Sequence, residues 1–421
     1  MSSAYPREVW KQIETLLTLV RSGRAQTRPE LVDETGLGRN VVAERLSTIA
    51  ALGLLRPEDE ARSRGGRAAR VLRLDPTAGH VLVGLIGIQR LHAAVCDLDG
   101  TVLARRDVDW HVSQGAQETC TEMARLLRAL AADEGVRDVW GATVGLPSSV
   151  DPGSGLLVDP VPSTSPGRWP ADFAVQDFCA GLLDVPVWVE SAANLGALGA
   201  ARSLQVQDLL WVRVGSGVTA ALVSGGRLHR GGNSMAGALA HVALSSDQDR
   251  ICLCGRSGCL EAYVGGWALL DEAQRAAAVG SSRHLAAVAA RRPVTLEDLA
   301  AASAAGDPAS VQIVVRAGNA LGRMLSYAAA LFDPSAIVIT GNPVIDDQRF
   351  EAALQRALQT NLLPALADGI TLRAGAPGGA DALAGGAELA VRSLLSAPHL
   401  AVWAESGAPR ALAGARLSAA V

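Results

Sequence analysis

Three of the chain's six cysteines fall within the stretch Cys252-Leu-Cys254-Gly-Arg-Ser-Gly-Cys259, and His241 lies a short way upstream. Thiols this crowded can converge only if the backbone folds back on itself, and Gly255 and Gly258 give it the freedom to do so. One imidazole and three thiolates form the donor set of a tetrahedral zinc site, and four protein ligands leave no open coordination position. The spacing therefore predicts a structural Zn2+ held by His241, Cys252, Cys254 and Cys259. A reduced, metal-free thiol cluster or a redox switch is the alternative chemistry for the same residues. Cys96, Cys120 and Cys179 are scattered in apolar surroundings and read as small core residues.

At 421 residues, the chain is long enough for two or three domains. Its 49% hydrophobic and 19% charged content is that of a globular protein with ample core. No run of about 18 uncharged apolar residues marks a membrane span, so a soluble, cytoplasmic protein is expected. The net charge of −4 hides an asymmetry: residues 1–75 carry 13 Arg or Lys against 10 Asp or Glu, so a basic head precedes an acidic body. That distribution suits a module that meets phosphate.

Within the head, residues 7–22 place Val9, Ile13, Leu16, Leu17 and Val20 at helical spacing. Thr27 then has the position of an N-cap, with Pro29 early in the next helix and Glu30 three residues after the cap. Gly36 ends that helix, and a second runs from about Gly38 to Leu52 with Val41, Val42, Leu46 and Ile49 inward. Two short helices joined by a tight glycine turn describe a helix-turn-helix, whose second helix enters the major groove of DNA. Arg39 and Asn40 are then the candidates for base edges, with Arg28 and Arg45 nearer phosphate. The stretch from Arg62 to Arg73 holds five arginines and no acid, and reads as a wing whose Arg64 and Arg67 lie along the backbone or in a minor groove. A three-helix bundle for protein contact and a solvated hairpin are the non-DNA readings of these two segments.

From about His80, strands and helices alternate. Strands are expected over 80–104 (broken at Asp99-Gly100), 139–145, 186–190, 209–214, 218–223 and 336–340. Helices are expected over 117–134, 193–204, 295–305, 308–331 and 380–395, so the body is α/β with two lobes. Together with Gly237-Ala-Leu-Ala-His241 and Cys252 to Glu261, the chain from about residue 8 to 395 resembles the ROK family (repressors, open reading frames, kinases) of the actin-like, hexokinase-like ATPases. The resemblance implies a winged helix-turn-helix over 1–76, a two-lobed sugar-kinase-like domain over 77–395, and an Ala-rich tail over 396–421 with no periodic pattern.

The residues depart from the family's kinases where phosphate is handled. The first phosphate loop is matched by Leu85-Ile86-Gly87-Ile88-Gln89, which lacks the acid, the second glycine and the hydroxyl. The catalytic Asn-Asp pair is matched by Ser191-Ala192, and an alanine cannot serve as general base. The second loop, Gly215-Ser216-Gly217-Val218-Thr219, is better kept, and Ile337 to Pro343 keeps one glycine of two on the adenosine side. Of the family's sugar contacts, His241 and Glu261 remain while Ala238 replaces a glutamate, and the loop Pro147-Ser-Ser-Val-Asp151 is altered. The resemblance thus implies a DNA-binding regulator, expected to be a repressor, without kinase activity. Ser191, Asn194, His241 and Glu261 are its candidate contacts to a carbohydrate-like effector, and a homodimer or homotetramer would read a two-fold operator. A kinase with a displaced base and a regulator with no small-molecule effector are the alternatives.

Overall fold

A computed structural model of the chain describes residues 6–56, 59–60, 70–158, 169–244 and 250–409. The chain divides into two compact units, one formed by residues up to Leu195 and again from Leu383, the other by Gly196 to Ala382.

The first unit begins with α1 (Arg7–Arg21), which buries the expected stripe of Val9, Ile13, Leu16, Leu17 and Val20. α2 (Arg28–Thr35) opens on a complete capping box: the Thr27 hydroxyl accepts from the Glu30 N–H, and the Glu30 carboxylate accepts from the Thr27 N–H at 2.9 Å. Gly36 closes the helix at φ 66°, a left-handed conformation in which any side chain would be strained. α3 (Arg39–Ala51) buries Val42, Leu46 and Ile49. β1 (Asp59–Glu60) and β2 (Arg70–Val71) pair antiparallel and form the base of the wing. Its tip, with Arg64 and Arg67, lies outside the described residues.

A five-stranded sheet follows. β3 (His80–Ile86), β4 (Arg90–Asp97) and β5 (Val102–Asp109) form an antiparallel meander. Then α4 (Ala116–Asp133) leads to β6 (Val139–Leu146), and α5 (Val175–Leu183) leads to β7 (Val187–Ser191). The strand order is β5-β4-β3-β6-β7, with β6 parallel to β3 and β7 parallel to β6. The interior strands are apolar on both faces, as covered sheets require, whereas edge strand β5 alternates between half-buried and exposed residues.

α6 (Ala192–Leu204) carries the chain into the second unit, where the same plan recurs. β8 (Leu209–Val214), β9 (Val218–Ser224) and β10 (Arg227–Leu228) form an antiparallel meander. α7 (Glu261–Val264), α8 (Gly266–Ala278), α9 (Arg283–Ala289), α10 (Leu296–Ala304) and α11 (Pro308–Phe332) precede β11 (Ala336–Gly341). α12 (Gln348–Asn361) and α13 (Pro364–Gly369) precede β12 (Thr371–Ala374), and the order β10-β9-β8-β11-β12 repeats that of the first sheet. One face of this sheet carries Leu210, Val212, Val214 and Ile337 into a core shared with α8, α10, α11 and α12.

α14 (Ala380–Leu394) returns the chain to the first unit. There the Thr143 hydroxyl donates to the Gly386 carbonyl at 2.8 Å, and the buried Glu388 carboxylate holds Arg21 of α1 and Arg392. The tail is not featureless from residue 396. Ala397–Ser406 form α15, whose first N–H donates to Glu14 of α1 at 3.0 Å and whose Trp403 stacks edge-on against Trp140 at 4.8 Å. Its stabilising contacts are tertiary, which is why helical periodicity alone did not mark it. Among the described residues no helix is long and apolar enough to cross a membrane.

Candidate functional site

In the head, Arg28, Arg39 and Asn40 are exposed, the last two opening α3. Arg45 is different, and its assignment to DNA is corrected. Its side chain is buried, its Nε donates to the Gln12 side-chain Oε1 at 3.0 Å, and it pairs with Glu44 at 2.8 Å. One turn and a half beyond Arg39, the helix has rotated this position onto the core face, where the aliphatic stem packs and the charge is met internally.

In the second unit, His241 ends a short 3-10 turn, and antiparallel bridges Ala243 to Cys259 and Ile251 to Ser257 fold the cysteine loop beside it. Gly255 and Gly258 both take positive φ, 85° and 74°, as the convergence demands. The donor atoms of His241, Cys252, Cys254 and Cys259 lie within 4.8 Å of one another. His241 Nδ1 is 3.6 Å from Cys252 Sγ, and Cys254 Sγ is 3.7 Å from Cys259 Sγ. The edges of a zinc-centred tetrahedron are about 3.6 Å for nitrogen to sulfur and about 3.8 Å for sulfur to sulfur. These two contacts match those edges, and the donor set could hold a metal ion of that size. Burial pushes the Cys252 thiol up to about 12. Burial opposes ionisation of Cys254 too, but hydrogen bonds from the backbone and side chain of Arg256, and from Cys252 and Cys259, bring it down to about 6.

The first turn of the first sheet is filled by protein. Leu85 is buried, Ile88 packs on the core, and the Ile88 and Gln89 carbonyls accept from Val112 and Trp110 N–H at 3.0 and 3.2 Å. These bonds tie the turn to the chain that follows β5. At the end of β7, Ser191 caps α6 by accepting from the Ala193 N–H at 3.3 Å. The neighbouring Glu190 is fully buried and organises this corner. Its Oε1 accepts from the Ser191 N–H and from Asn194 Nδ2, both at 2.8 Å. No local sequence signal marks it, because its burial appears only once β7 is paired with β6. Asp151 accepts from the Ser154 hydroxyl and N–H at 2.6 and 2.9 Å, which holds its carboxyl below the usual range and closes its own loop.

Glu261 is nine-tenths buried, and its carboxylate lies against the second turn. It accepts from the Val218 N–H at 3.0 Å and from Trp267 Nε1 at 3.3 Å. A Cβ on Gly217 would stand 2.6 Å from Glu261 Oε2, so only glycine admits the carboxylate there. Of the four candidate effector contacts, Ser191 and Asn194 thus belong to the first unit and His241 and Glu261 to the second. Ser191, Asn194 and Glu261 each already have a partner within the protein.

A family model described as ROK family matches residues 84–392. The chain is 25% identical over 351 residues to the DNA-binding transcriptional dual regulator NagC of Escherichia coli K12, covering 80% of this chain and 82% of that one. Its fold is similar to that of a crystallised ROK family transcriptional regulator, a homologue of the E. coli Mlc protein. That match has a TM-score of 0.79 at 20% identity and covers 94% of this chain and 98% of the other. It is similar also to a ROK family glucokinase from Streptomyces griseus solved with glucose and AMPPNP, with a TM-score of 0.60 at 25% identity, covering 74% and 99%. The chain's relatives thus include both regulators and sugar kinases.

Proposed function

The chain belongs to the ROK family, and from that premise we propose that it is a cytoplasmic DNA-binding transcriptional repressor whose kinase-like body senses an effector and assembles the oligomer. The observation that carries this reading is the pairing of a capped helix-turn-helix, with Arg39 and Asn40 exposed at the start of α3, to a body that has Ala192 where the family's kinases hold a base. Similarity to NagC supports the DNA role. The closed Gly87-Ile88-Gln89 turn supports the absence of phosphoryl transfer, since the turn and the base fail together.

The head would dock with α3 in the major groove, and a homodimer or homotetramer would match a two-fold operator. Arg39 and Asn40 would read base edges and Arg28 phosphate, with the wing's Arg64 and Arg67 added along the backbone. An effector alters DNA affinity only if it binds the DNA-competent and DNA-free conformations unequally. α14 is the covalent route for that difference, because it starts in the second unit and carries, in its first-unit part, Glu388, which grips Arg21 of α1. The ion held by His241, Cys252, Cys254 and Cys259 would be zinc, supplying rigidity rather than catalysis because all four positions are taken by protein. Those residues would fix the segment that presents Glu261.

The test is affinity selection of fragmented host DNA by the purified full chain, sequenced with and without a sugar and sugar-phosphate panel. Enrichment of a few two-fold sites is expected, altered by one compound. Enrichment unmoved by every compound would remove the effector and keep the repressor. No enrichment at moderate salt with zinc present would overturn the reading. A coupled ATP assay over a hexose panel should show no turnover.

A further inference from the structure

Between the head and the turn that joins β4 to β5 lies a cavity of about 300 Å³, outside both the DNA-reading helix and the candidate effector contacts. Its walls come from the end of α1 (Arg21), the approach to α2 (Gln26), the chain after α3 (Arg56), the chain after β2 (Arg73) and the β4–β5 turn (Asp99). Main-chain hydrogen bonds hold these pieces in place. The Leu72 N–H donates to the Gln26 carbonyl at 2.7 Å, the Arg56 N–H to the Arg73 carbonyl at 3.0 Å and the Leu98 N–H to the Pro76 carbonyl at 3.1 Å. Backbone therefore fixes the frame, and side chains supply the charge.

Three arginines and one aspartate line this space. Each arginine is short of acid in its own way. Arg21 is nine-tenths buried and shares the Glu388 carboxylate with Arg392, and its Nε has no hydrogen-bond partner among the described residues. Arg56 reaches Asp75 only at 3.6 Å, and that carboxylate already accepts from the Thr77 N–H and hydroxyl at 3.0 and 2.8 Å. Arg73 is exposed and has no acid partner among the described residues. A buried donor left unpaired costs stability, and cations drawn together repel one another. A multivalent anion would relieve both, through charge-assisted bonds to the guanidinium forks. The cavity lies at the small end of ligand sites, which run from ~300 to ~1,000 Å³.

We infer that Arg21, Arg56 and Arg73 form a binding site for a small multivalent oxyanion, a tricarboxylate or a pyrophosphate, that pins the head to the first sheet. The anion bridges chain from α1, from α3 and from the stem of the wing, and so restricts the head relative to the β4–β5 turn. None of Ser191, Asn194, His241 and Glu261 lines the cavity, so this is a second ligand site. Its consequence for DNA rests on the repressor reading above: the anion shifts DNA affinity to the extent that pinned and unpinned heads bind DNA unequally.

Calorimetry on the full chain at fixed ionic strength tests this with tricarballylate, pyrophosphate and acetate. Tricarballylate or pyrophosphate is expected to bind at one site per chain, at least tenfold tighter than acetate. Binding of the first alone identifies a carboxylate ligand, and of the second alone a phosphoryl one. Arg73→Gln removes an exposed cation without an acid partner, so it should weaken binding at least tenfold at an unchanged melting temperature. Arg73→Lys should recover part of the loss. Arg128→Gln, at an exposed position on α4, should leave binding within twofold. Hydrogen exchange over residues 20–26 and 71–76 should slow severalfold with the anion bound. Equal losses in Arg73→Gln and Arg128→Gln would reduce the binding to general surface charge and overturn the site, as would the absence of any preference over acetate in the natural chain. Binding that depends on Arg73 but leaves exchange unchanged overturns the pinning of the head. None of these readouts uses DNA, so a chain that selects no operator removes the repressor reading and leaves the anion site to be judged on its own.

Discussion

Both units hang their side chains on one strand order, an antiparallel meander followed by two parallel strands, yet the turn after the first strand is treated oppositely in each. In the first unit the turn is Gly87-Ile88-Gln89, closed by hydrogen bonds to Trp110 and Val112 and plugged by an isoleucine. In the second it is Gly215-Ser216-Gly217, still open enough that Glu261 lies against one glycine and Arg213 over another. The means of support differ as well. The first unit is braced by buried pairs to α1, α14 and α15, the second by a cluster of thiols and imidazole. The sheet survives either treatment because its stability lies in the buried faces of its strands and not in its turns.

The largest effect should come from the support of the second unit. Stripping the metal with a strong chelator, or Cys259→Ser, should cost at least about 5 kcal/mol, on the order of 10–20 °C in melting temperature for a unit of this size. Hydrogen exchange should place the loss around residues 241–261, with the first sheet spared. Equal loosening of both sheets would break the comparison, because it would make the cluster a support of the whole chain. Next comes the first unit's brace. Arg21→Ala removes the bidentate partner of the Glu388 carboxylate, 3% exposed, and leaves Arg392 as its remaining cation, which should cost about 2–3 kcal/mol. DNA binding should fall with it. An Arg21→Ala chain as stable as the natural one would show that α1 is held by its apolar face alone.

How much of this was legible depended on where the signal lay. The capping box at Thr27 and Glu30, the stripe of α1, the meander and the convergence of His241 with the three cysteines were legible because each is local: a fixed spacing, a turn residue or a donor set. Arg45 was misplaced because helix rotation, not charge, decides which side of α3 it faces. α12, α15 and the short edge strand β12 went unread, the last two since their stability comes from neighbours remote in sequence. Glu190 was missed for a related reason. Burial marks it, and that burial is not visible before the strands are paired.

A smaller effect separates the two turns directly. Ile88→Gly removes a half-buried side chain and adds backbone freedom, which should cost about 1–2 kcal/mol without creating ATP affinity. Ser216→Ile, the matching exchange in the second unit, touches no core and should leave stability within about 0.5 kcal/mol. If the two exchanges cost the same stability, the turns are equivalent supports and the contrast between them dissolves.

The smallest effect concerns pH and the brace formed by α15. His399 is buried beneath the Trp188 ring, with its Nδ1 against Ser396 Oγ and the Ser393 carbonyl. Burial holds its pKa below the ordinary histidine value, against the opposing pull of the Ser393 carbonyl and of Glu14, the charged group that faces it from α1. The unfolded chain, with a histidine near about 6.5, therefore takes up a proton before the folded one does. This group's contribution is fully present above that pH and is lost as acid drives the unfolded histidine to protonate. The loss continues downward until the folded pKa is reached. His399→Gln keeps a donor to Ser393 and cannot titrate, so the difference in stability between natural and variant chains should be flat above pH ~7 and should shrink below pH ~6.5. Trp403 fluorescence would report the same window, because α15 would loosen before either sheet. A difference that stays constant down to pH ~5 would mean that folded and unfolded chains hold the His399 proton equally, and burial would then play no part. A difference that grows in acid would mean that the folded chain holds an imidazolium against Glu14, making the α15 brace ionic.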